Sequence, residues 1–287
     1  MRNPEKTALA PGLYLVATPI GNARDITLRA LDILASADVL AAEDTRSLRR
    51  LLDLHGLAPG DRPLLSYHDH NGPKMRPRLL GLLAEGRSVA YASEAGTPLL
   101  ADPGFDLARD ASAAGHAVTA APGASALLAA LSLAGLPTDR FLFGGFLPNA
   151  QAARKAALAE LAQVPATLVF YESPRRAQAM LEDAAEMLGA SRPAALCREL
   201  TKRFEEVRQG SLMELAQGAR DTPPKGEVVV VIGRGDSENV SESDVETELR
   251  AALDRMSLKD AADAVARATG AKRRDVYQMA LRIGREG

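Results

Sequence analysis

The chain is poor in cysteine: among 287 residues only Cys197 carries a thiol, which excludes an intramolecular disulfide and any multi-thiolate metal site. Tryptophan is absent as well, which by itself excludes nothing. No apolar run approaches the ~18 residues that a membrane span requires. The start, MRNPEKTALAPG, has no apolar core of the signal-peptide kind, so a cytoplasmic protein without a membrane is expected. Charge of one sign is also lacking: 35 Lys and Arg against 37 Asp and Glu leave a net −2. That argues against a polyanion binder driven by bulk electrostatics and leaves room for a local basic patch. No GxxxxGK[ST] occurs and no GxGxxG follows the first strand, so ATP and dinucleotide readings lose support. The absence of a G-x-S-x-G elbow gives a serine hydrolase no support. What remains, 46% apolar and 25% charged residues, is the composition of a soluble globular protein and excludes a disordered chain.

From Gly12 to Gly233 short β-rich runs alternate with longer helical ones. Leu13–Ala17, Val39–Ala42, Leu64–Tyr67, Ser88–Ser93 and Ala117–Ala120 read as strands. Thr27–Ala35, Thr45–Leu54, Met75–Ala84 and Asp106–Ala114 space their apolar residues as helices do. This alternation predicts βαβ units on a mostly parallel sheet. After Ala121-Pro122-Gly123 a second set of strands follows: Phe141–Phe146, Ala166–Tyr171, Ala194–Arg198, Phe204–Gln209 and Glu227–Ile232. Helices are expected near Ala152–Ala162 and Ala177–Leu188. The runs RFEEVRQG and EVVVVIG look antiparallel, which predicts a mixed second sheet. The expected fold class is therefore α/β, with lobes over 1–121 and 122–234 and a hinge near Ala121–Ser125.

Composition shifts after Gly233. Residues 235–248 carry six acids and no bases, a solvated linker by pattern. A helical module over 249–287 follows. Leu249, Leu253 and Met256 mark one apolar face, Ser257 with Asp260 resembles a capping box, and Gly270 closes a helix. The next helix opens with Lys272, Arg273 and Arg274 and places Val276, Met279 and Leu281 within reach of a core. Six bases against one acid from Arg267 to Arg285 give this stretch the look of a helix-turn-helix. A docking helix pair with a solvated basic face is the plainer alternative.

Four loops fall where a predicted strand ends, the place ligands take on open α/β sheets. Thr18-Pro19-Ile20-Gly21-Asn22 is a tight turn of a common kind. Ala41-Ala42-Glu43-Asp44-Thr45-Arg46 puts two acids before a helix, either to complement its dipole or to face a cleft. Ser93-Glu94-Ala95-Gly96-Thr97-Pro98, continuing to Asp102-Pro103-Gly104, packs small residues densely enough for backbone to approach a ligand. Ala121-Pro122-Gly123-Ala124-Ser125-Ala126 places Ser125 to cap the next helix. His68-Asp69-His70-Asn71 has no cysteine cluster near it, and a loop for a polar substrate is preferred to a metal site. Later strand ends carry Tyr171 to Arg176, with guanidiniums suited to phosphate, then Arg198 to Lys202, and Lys225-Gly226-Glu227. Cys197, inside an apolar strand, reads as a buried inert thiol.

Taken together, LVATPIGNARDITLRAL, LAAEDTR, LSYHDHN, SEAGTPLLADPG, APGASA, LPTDRFLFGGFLP, FYESPRR, CRELTK and KGEVVVVIG resemble, in order, the motifs of the small-subunit ribosomal RNA methyltransferase I family within the tetrapyrrole methylases. The resemblance covers about Gly12 to Gly233, and the terminal helices look like that family's tail. It implies two α/β lobes, usually in a homodimer, with S-adenosyl-L-methionine in the cleft between them. It implies 2′-O-methylation of a 16S rRNA cytidine in the small ribosomal subunit. Carried over by motif, the cofactor would touch Pro19, Glu94, Gly96, Thr97, Pro98, Ala101, Ser125, Ala126, Tyr171, Lys225, Gly226 and Glu227. Glu94 departs from the family's usual Asp, Ala124 from Pro, and Arg175 from His.

A ribose hydroxyl is a poor nucleophile, so the enzyme must align oxygen with methyl, exclude water and accept a proton; no metal is required. Glu43, Asp44, His68, Asp69 and Glu199 are candidate bases or orienters, with Glu43, Asp69 and Lys202 preferred for positioning. Arg46, Arg175, Arg198 and the Lys272, Arg273, Arg274 cluster are candidates for RNA phosphate contacts. Two alternatives stand beside this reading. One is a tetrapyrrole C-methyltransferase, which usually shows a GxGPGD-like first loop where this chain has TPIGN. The other is a non-catalytic RNA-binding assembly factor.

Overall fold

Capping side chains start the first two helices. Thr27 accepts the Ala30 N–H at 3.1 Å and Asp44 the Arg46 N–H at 2.7 Å, the first after a long loop and the second directly after a strand. In the computed structural model, which describes residues 7–100, 104–235, 242–269, 271 and 273–286, this gives β1 (Gly12–Val16), α1 (Leu28–Ser36), β2 (Val39–Ala42), α2 (Thr45–Leu54), β3 (Leu64–Ser66), α3 (Gly72–Ala84), β4 (Ser88–Ala92), α4 (Gly104–Ala113) and β5 (Val118–Ala121). All neighbours in the sheet, ordered β3-β2-β4-β1-β5, are parallel. Every residue of β2 and β4 is buried, as expected for strands covered on both faces. Leu34, Leu48 and Leu52 from α1 and α2 pack on one face, and Leu79, Leu83 and Leu107 from α3 and α4 on the other.

The second lobe comprises α5 (Ala126–Leu133), β6 (Phe141–Phe146), α6 (Gln151–Leu161), β7 (Thr167–Glu172), α7 (Ala177–Leu188), β8 (Pro193–Arg198), β9 (Glu206–Ser211), α8 (Leu212–Asp221) and β10 (Val228–Ile232). Its sheet runs β6-β7-β10-β8-β9 and is mixed: β6 and β7 are parallel, and β10 is antiparallel to both β7 and β8. The expected antiparallel relation of β9 to β10 is corrected. The two are not neighbours; both run antiparallel to β8, which lies between them, and so point the same way. The reason is α8, absent from the sequence reading, which makes their connection a helical crossover rather than a hairpin. Its signal was Ser211 with Glu214, a reciprocal capping box in the structure. Strand and helix ends otherwise differ from the expected ones by one to three residues, the usual fraying margin.

Helices α6, α7 and α8 cover one face of this sheet through Leu158, Met180, Leu181 and Leu215. The other face receives α5 together with Ile20 from the first lobe: Leu127, Ala130 and Leu131 meet Val169, Ala195, Cys197, Val229 and Val231. The two lobes thus share a core.

The third set is α9 (Glu242–Leu253), α10 (Leu258–Thr269) and α11 (Arg273–Glu286). α9 starts inside the stretch expected as an acidic linker, because Val245 and Leu249 give it a buried face; residues 236–241 lie outside the described residues. Leu249 and Val276 are core residues as expected, Met256 is exposed, and Ala280 and Ile283 fill the place foreseen for Leu281. Ser257 and Asp260 do form a cap, the Asp260 N–H reaching the Ser257 hydroxyl at 3.3 Å. Among the described residues no helix is long and apolar enough to cross a membrane.

One polar contact lies deep in the second lobe. Arg154 donates to Asp183 at 2.6 and 2.7 Å, and their side chains are 6% and 3% exposed. Asp183→Ala leaves the guanidinium buried without its counter-charge. The expected loss is about 3–5 kcal/mol in urea unfolding, with Asp183→Asn, which keeps an acceptor, losing less.

Candidate functional site

The loops after β1 and β4, neighbours in the first sheet, are joined by main chain. The Thr18 N–H donates to the Gly96 carbonyl at 2.9 Å and the Gly96 N–H returns to the Thr18 carbonyl at 3.0 Å. The Thr18 hydroxyl donates to the Ser93 carbonyl at 3.2 Å, and the Thr97 hydroxyl to the Ala124 carbonyl at 3.0 Å, which ties in the loop after β5. Gly96 sits at φ +82°, and a Cβ there would stand 3.1 Å from Ile20, so glycine alone lets this wall close.

The second lobe supplies the opposite wall. Tyr171, at the end of β7, accepts the Leu127 N–H at 3.2 Å and meets the rings of Phe143 and Phe146 at 4.8 and 5.8 Å. Burial raises its pKa, so the phenol stays neutral. Beyond β8 the chain is strained: Glu199 and Thr201 adopt φ +50° and +64°. That turn brings three charges together. Lys202 Nζ donates to Glu199 at 3.0 Å and to Glu227 at 2.9 Å, and Glu199 also accepts the Glu227 N–H at 3.0 Å. The backbone bond from Glu227, then that from Lys202, hold the Glu199 pKa down. Burial opposes the Lys202 charge, but its bonds to Glu227 and Glu199 outweigh it and raise the pKa, so Lys202 is a fixed cation and not a proton acceptor. The turn also reaches the first lobe, where the Asn22 N–H donates to the Thr201 hydroxyl at 3.1 Å.

Two cavities lie between these walls. One, of about 390 Å³, is largely apolar and is lined by Ile20, Gly96, Thr97, Ala126, Tyr171 and Val229 among others. The second, about 580 Å³, runs along the first loop and α2 over Ser93 and Glu94 to Lys202. Ile20, Ala95 and Glu227 belong to both. Both volumes lie within the usual range of about 300–1,000 Å³ for small-molecule sites.

Of the residues expected at a cofactor, Gly96, Thr97, Ala126, Tyr171, Gly226 and Glu227 line the first cavity, and Pro19 and Glu94 the second. Ser125 is buried beside Tyr171, Pro98 is buried, Lys225 is exposed, and Ala101 lies outside the described residues. An apolar slot with a neutral phenol, opening on a cation flanked by carboxylates, suits a nucleoside that carries an amino-acid tail. Of the residues expected to act on an acceptor, Lys202 lines the second cavity, whereas Glu43, His68 and Asp69 line neither. Glu43 stands at the end of β2, which β4 separates from β1, and His68 and Asp69 follow β3, the edge strand beyond it.

The arginines expected to meet phosphate are dispersed. Arg46 is bound to Asp44, whose pKa this hydrogen bonding lowers to about 2. Arg175 is exposed, Arg198 pairs with Glu206 at 3.0 Å, Arg273 pairs with Asp263, Arg274 is exposed, and Lys272 lies outside the described residues. Sequence reasoning missed Leu100, Phe146 and Glu172 in the first cavity and Ser47, Arg50, Leu51 and Leu54 in the second. Ile20, quoted only as part of a turn, is the one large aliphatic side chain in Thr18-Pro19-Ile20-Gly21-Asn22, a signal that could have marked it. Among the described residues no three His, Cys, Asp or Glu side chains gather as a metal-binding group.

Residues 12–216 match the family model of Tetrapyrrole (Corrin/Porphyrin) Methylases, and residues 239–284 that of the RsmI C-terminal HTH domain. A ribosomal RNA small subunit methyltransferase I of Mesorhizobium japonicum is 47% identical, covering 96% of this chain and 93% of its own length. That of Pseudomonas aeruginosa is 42% identical over 94% and 96%. Among solved structures, a uroporphyrin-III C-methyltransferase from Thermus thermophilus complexed with S-adenosylhomocysteine matches with TM-score 0.54 at 22% identity, covering 77% of this chain and 97% of its own. A conserved hypothetical protein of Aeropyrum pernix matches with TM-score 0.62 at 20% identity over 97% and 98%. These two likenesses establish the fold.

Two outcomes follow from this geometry. Gly226 sits at φ +80°, and a methyl there would overlap the Glu199 carboxylate. Gly226→Ala is expected to weaken ligand binding in the first cavity by at least tenfold in calorimetry, with part of the loss restored by adding Glu199→Ser. Burial, and secondarily Glu205, push the Cys197 thiol up to about 11; the native protein should show no titratable thiol at pH 8 and the denatured chain one.

Proposed function

The chain belongs to the tetrapyrrole methylase family, among the ribosomal RNA small subunit methyltransferase I proteins, and from that premise we propose that it methylates the 2′-oxygen of a cytidine ribose in 16S rRNA, with S-adenosyl-L-methionine as methyl donor. The observation that carries the reading is the pair of joined cavities, one apolar and one polar, meeting at Ile20, Ala95 and Glu227. A reaction between two ligands needs such a meeting point. Relatives at more than 40% identity over nearly the whole chain, ribosomal RNA small subunit methyltransferases I, support the substrate, and the S-adenosylhomocysteine complex of a fold neighbour supports the donor.

When bound, the cofactor supplies a sulfonium methyl: an oxygen–carbon bond forms as the sulfur–carbon bond breaks, and a neutral thioether leaves. The protein's own part is placement and proton handling. Ile20, Leu100 and Val229 give the first cavity an apolar lining, and the main chain around Gly96, bonded to Thr18, gives it a fixed edge. Lys202, held by Glu199 and Glu227, fixes a positive charge beside the meeting point. Since Lys202 keeps its proton and Glu43, His68 and Asp69 line neither cavity, we assign the hydroxyl proton to the Glu94 carboxylate, with Glu227 orienting. The position of Glu94 where relatives of the family usually carry Asp leaves a carboxylate in the same loop.

The reading extends to a cytoplasmic homodimer. The exposed apolar side chains of Val118 on the edge strand β5 and of Phe141 and Phe146 on the edge strand β6 support self-association. The chain weighs 30.3 kDa, and sedimentation should report twice that mass.

The decisive experiment is transfer of labelled methyl to small ribosomal subunits from cells lacking this protein, with the product mapped by mass spectrometry. A label on a cytidine 2′-oxygen is expected, and Glu94→Gln should lower kcat about 10²–10⁴-fold while leaving cofactor affinity within twofold. No label on subunits or free rRNA, with cofactor binding intact, overturns the reading and moves the search to tetrapyrrole acceptors.

A further inference from the structure

Helix α2 presents two different faces, and only one belongs to the core. Leu48 and Leu52 are buried against the sheet. The opposite side carries Arg46, Arg49 and Arg50, one helical turn apart, all exposed. Arg46 is engaged by Asp44, but Arg49 and Arg50 have no hydrogen-bond or ion-pair partner among the described residues. Between the two faces runs a flank made of Ser47, Arg50, Leu51 and Leu54, and this flank is the outer wall of the second cavity. Leu54 is 63% exposed there, an apolar surface with nothing packed on it.

The charges around the cavity differ from wall to wall. Glu227, shared with the first cavity and paired with Lys202, and Glu94, next to the shared Ala95, supply carboxylates, while the α2 wall holds the guanidinium of Arg50 with that of Arg49 alongside. A phosphate is drawn to the α2 wall and repelled by the carboxylates, which offer acceptors to a ribose hydroxyl.

Resting on the proposed methyl transfer to RNA, we infer that the second cavity is the pocket for the acceptor nucleotide and that the outer face of α2 holds the phosphates on either side of it. In this pocket the base lies on Leu51 and Leu54, the ribose points to Glu94 and Glu227, and the flanking phosphates are held by Arg49 and Arg50. The helix that the sequence offered through Arg46 alone then contributes its outer face to RNA recognition, independently of the C-terminal helices.

The test uses the full-length protein and small ribosomal subunits as the probe. For Arg49→Gln/Arg50→Gln, KM for the subunit should rise at least tenfold at near-physiological salt, with cofactor affinity by calorimetry unchanged. The slope of log affinity against log salt should flatten by about 0.7–0.9 for each phosphate that is no longer neutralised. Arg49→Lys/Arg50→Lys should restore most of the slope, because the charge is kept. Arg78→Gln, on α3 across the sheet, is the control and should change neither quantity. A second variant, Ser47→Trp, fills the cavity and should abolish methyl transfer while cofactor affinity stays within twofold. If the wild type methylates subunits and the arginine variants match it, the inference is overturned; it is equally overturned if Ser47→Trp lowers cofactor affinity, since the cavity then belongs to the cofactor. If the wild type transfers no methyl at all, the functional reading falls first.

Discussion

The shared core between the lobes is the constraint on which the rest depends. Ile20 leaves the first β-strand's loop and is 7% exposed among Leu127, Leu131, Val229 and Leu200 of the second lobe. A buried Ile contributes roughly 1.5–3 kcal/mol relative to an exposed one, a small sum for joining two domains. Its weight comes from position. The residue that seals the lobes together also forms the floor on which both cavities meet, so packing and ligand geometry cannot vary separately. The bond from Asn22 to Thr201 and the stem of Lys202 lying against Gly21 reinforce the same seam with polar and apolar contact.

That seam explains an arrangement of charge that would otherwise be costly. Glu199, Lys202 and Glu227 form a chain of alternating charge at a lobe boundary, with the side chains of Glu199 and Lys202 20% and 28% exposed. Holding Glu199 and Thr201 at positive φ costs on the order of 1–3 kcal/mol each, and such strain persists where surrounding contacts over-determine it. Here the Glu227 N–H, the Glu205 carboxylate on the Thr201 N–H and the Asn22 N–H on the Thr201 hydroxyl supply those contacts. The strained turn carries the cation to the point where the two cavities join.

Much of this was legible in the sequence, and the reason is local. The strand-helix alternation and the clustering of Gly96, Tyr171 and Glu227 at strand ends follow from short-range pattern and turn chemistry, whereas the second sheet is mixed for another reason than the one the sequence suggested, through β10 against β7 and β8. What was not legible depends on three-dimensional order. β9 and β10 are consecutive strands, yet β8 separates them, a fact of topology that no window of residues contains. His68 and Asp69 sit in a loop as polar as the Glu94 loop, but β3 is an edge strand and β4 is central, so only Glu94 reaches the cleft. The first half of α9 was hidden because acidic residues dominate its composition, while Val245 docks it beside the expected Leu249.

The wall shared by Thr18 and Gly96 is built from main chain, with side chains contributing at only a few points. A surface of that kind is inherited differently from one made of side chains. Amides and carbonyls are common to every residue, so a residue such as Ala95 can drift through generations while the contour it frames stays where it was. Selection can therefore act on the identity of the acceptor through α2, on the second cavity, without disturbing how the first cavity is shaped. A single lineage of such proteins can keep one way of holding a small molecule and change what that molecule is used on.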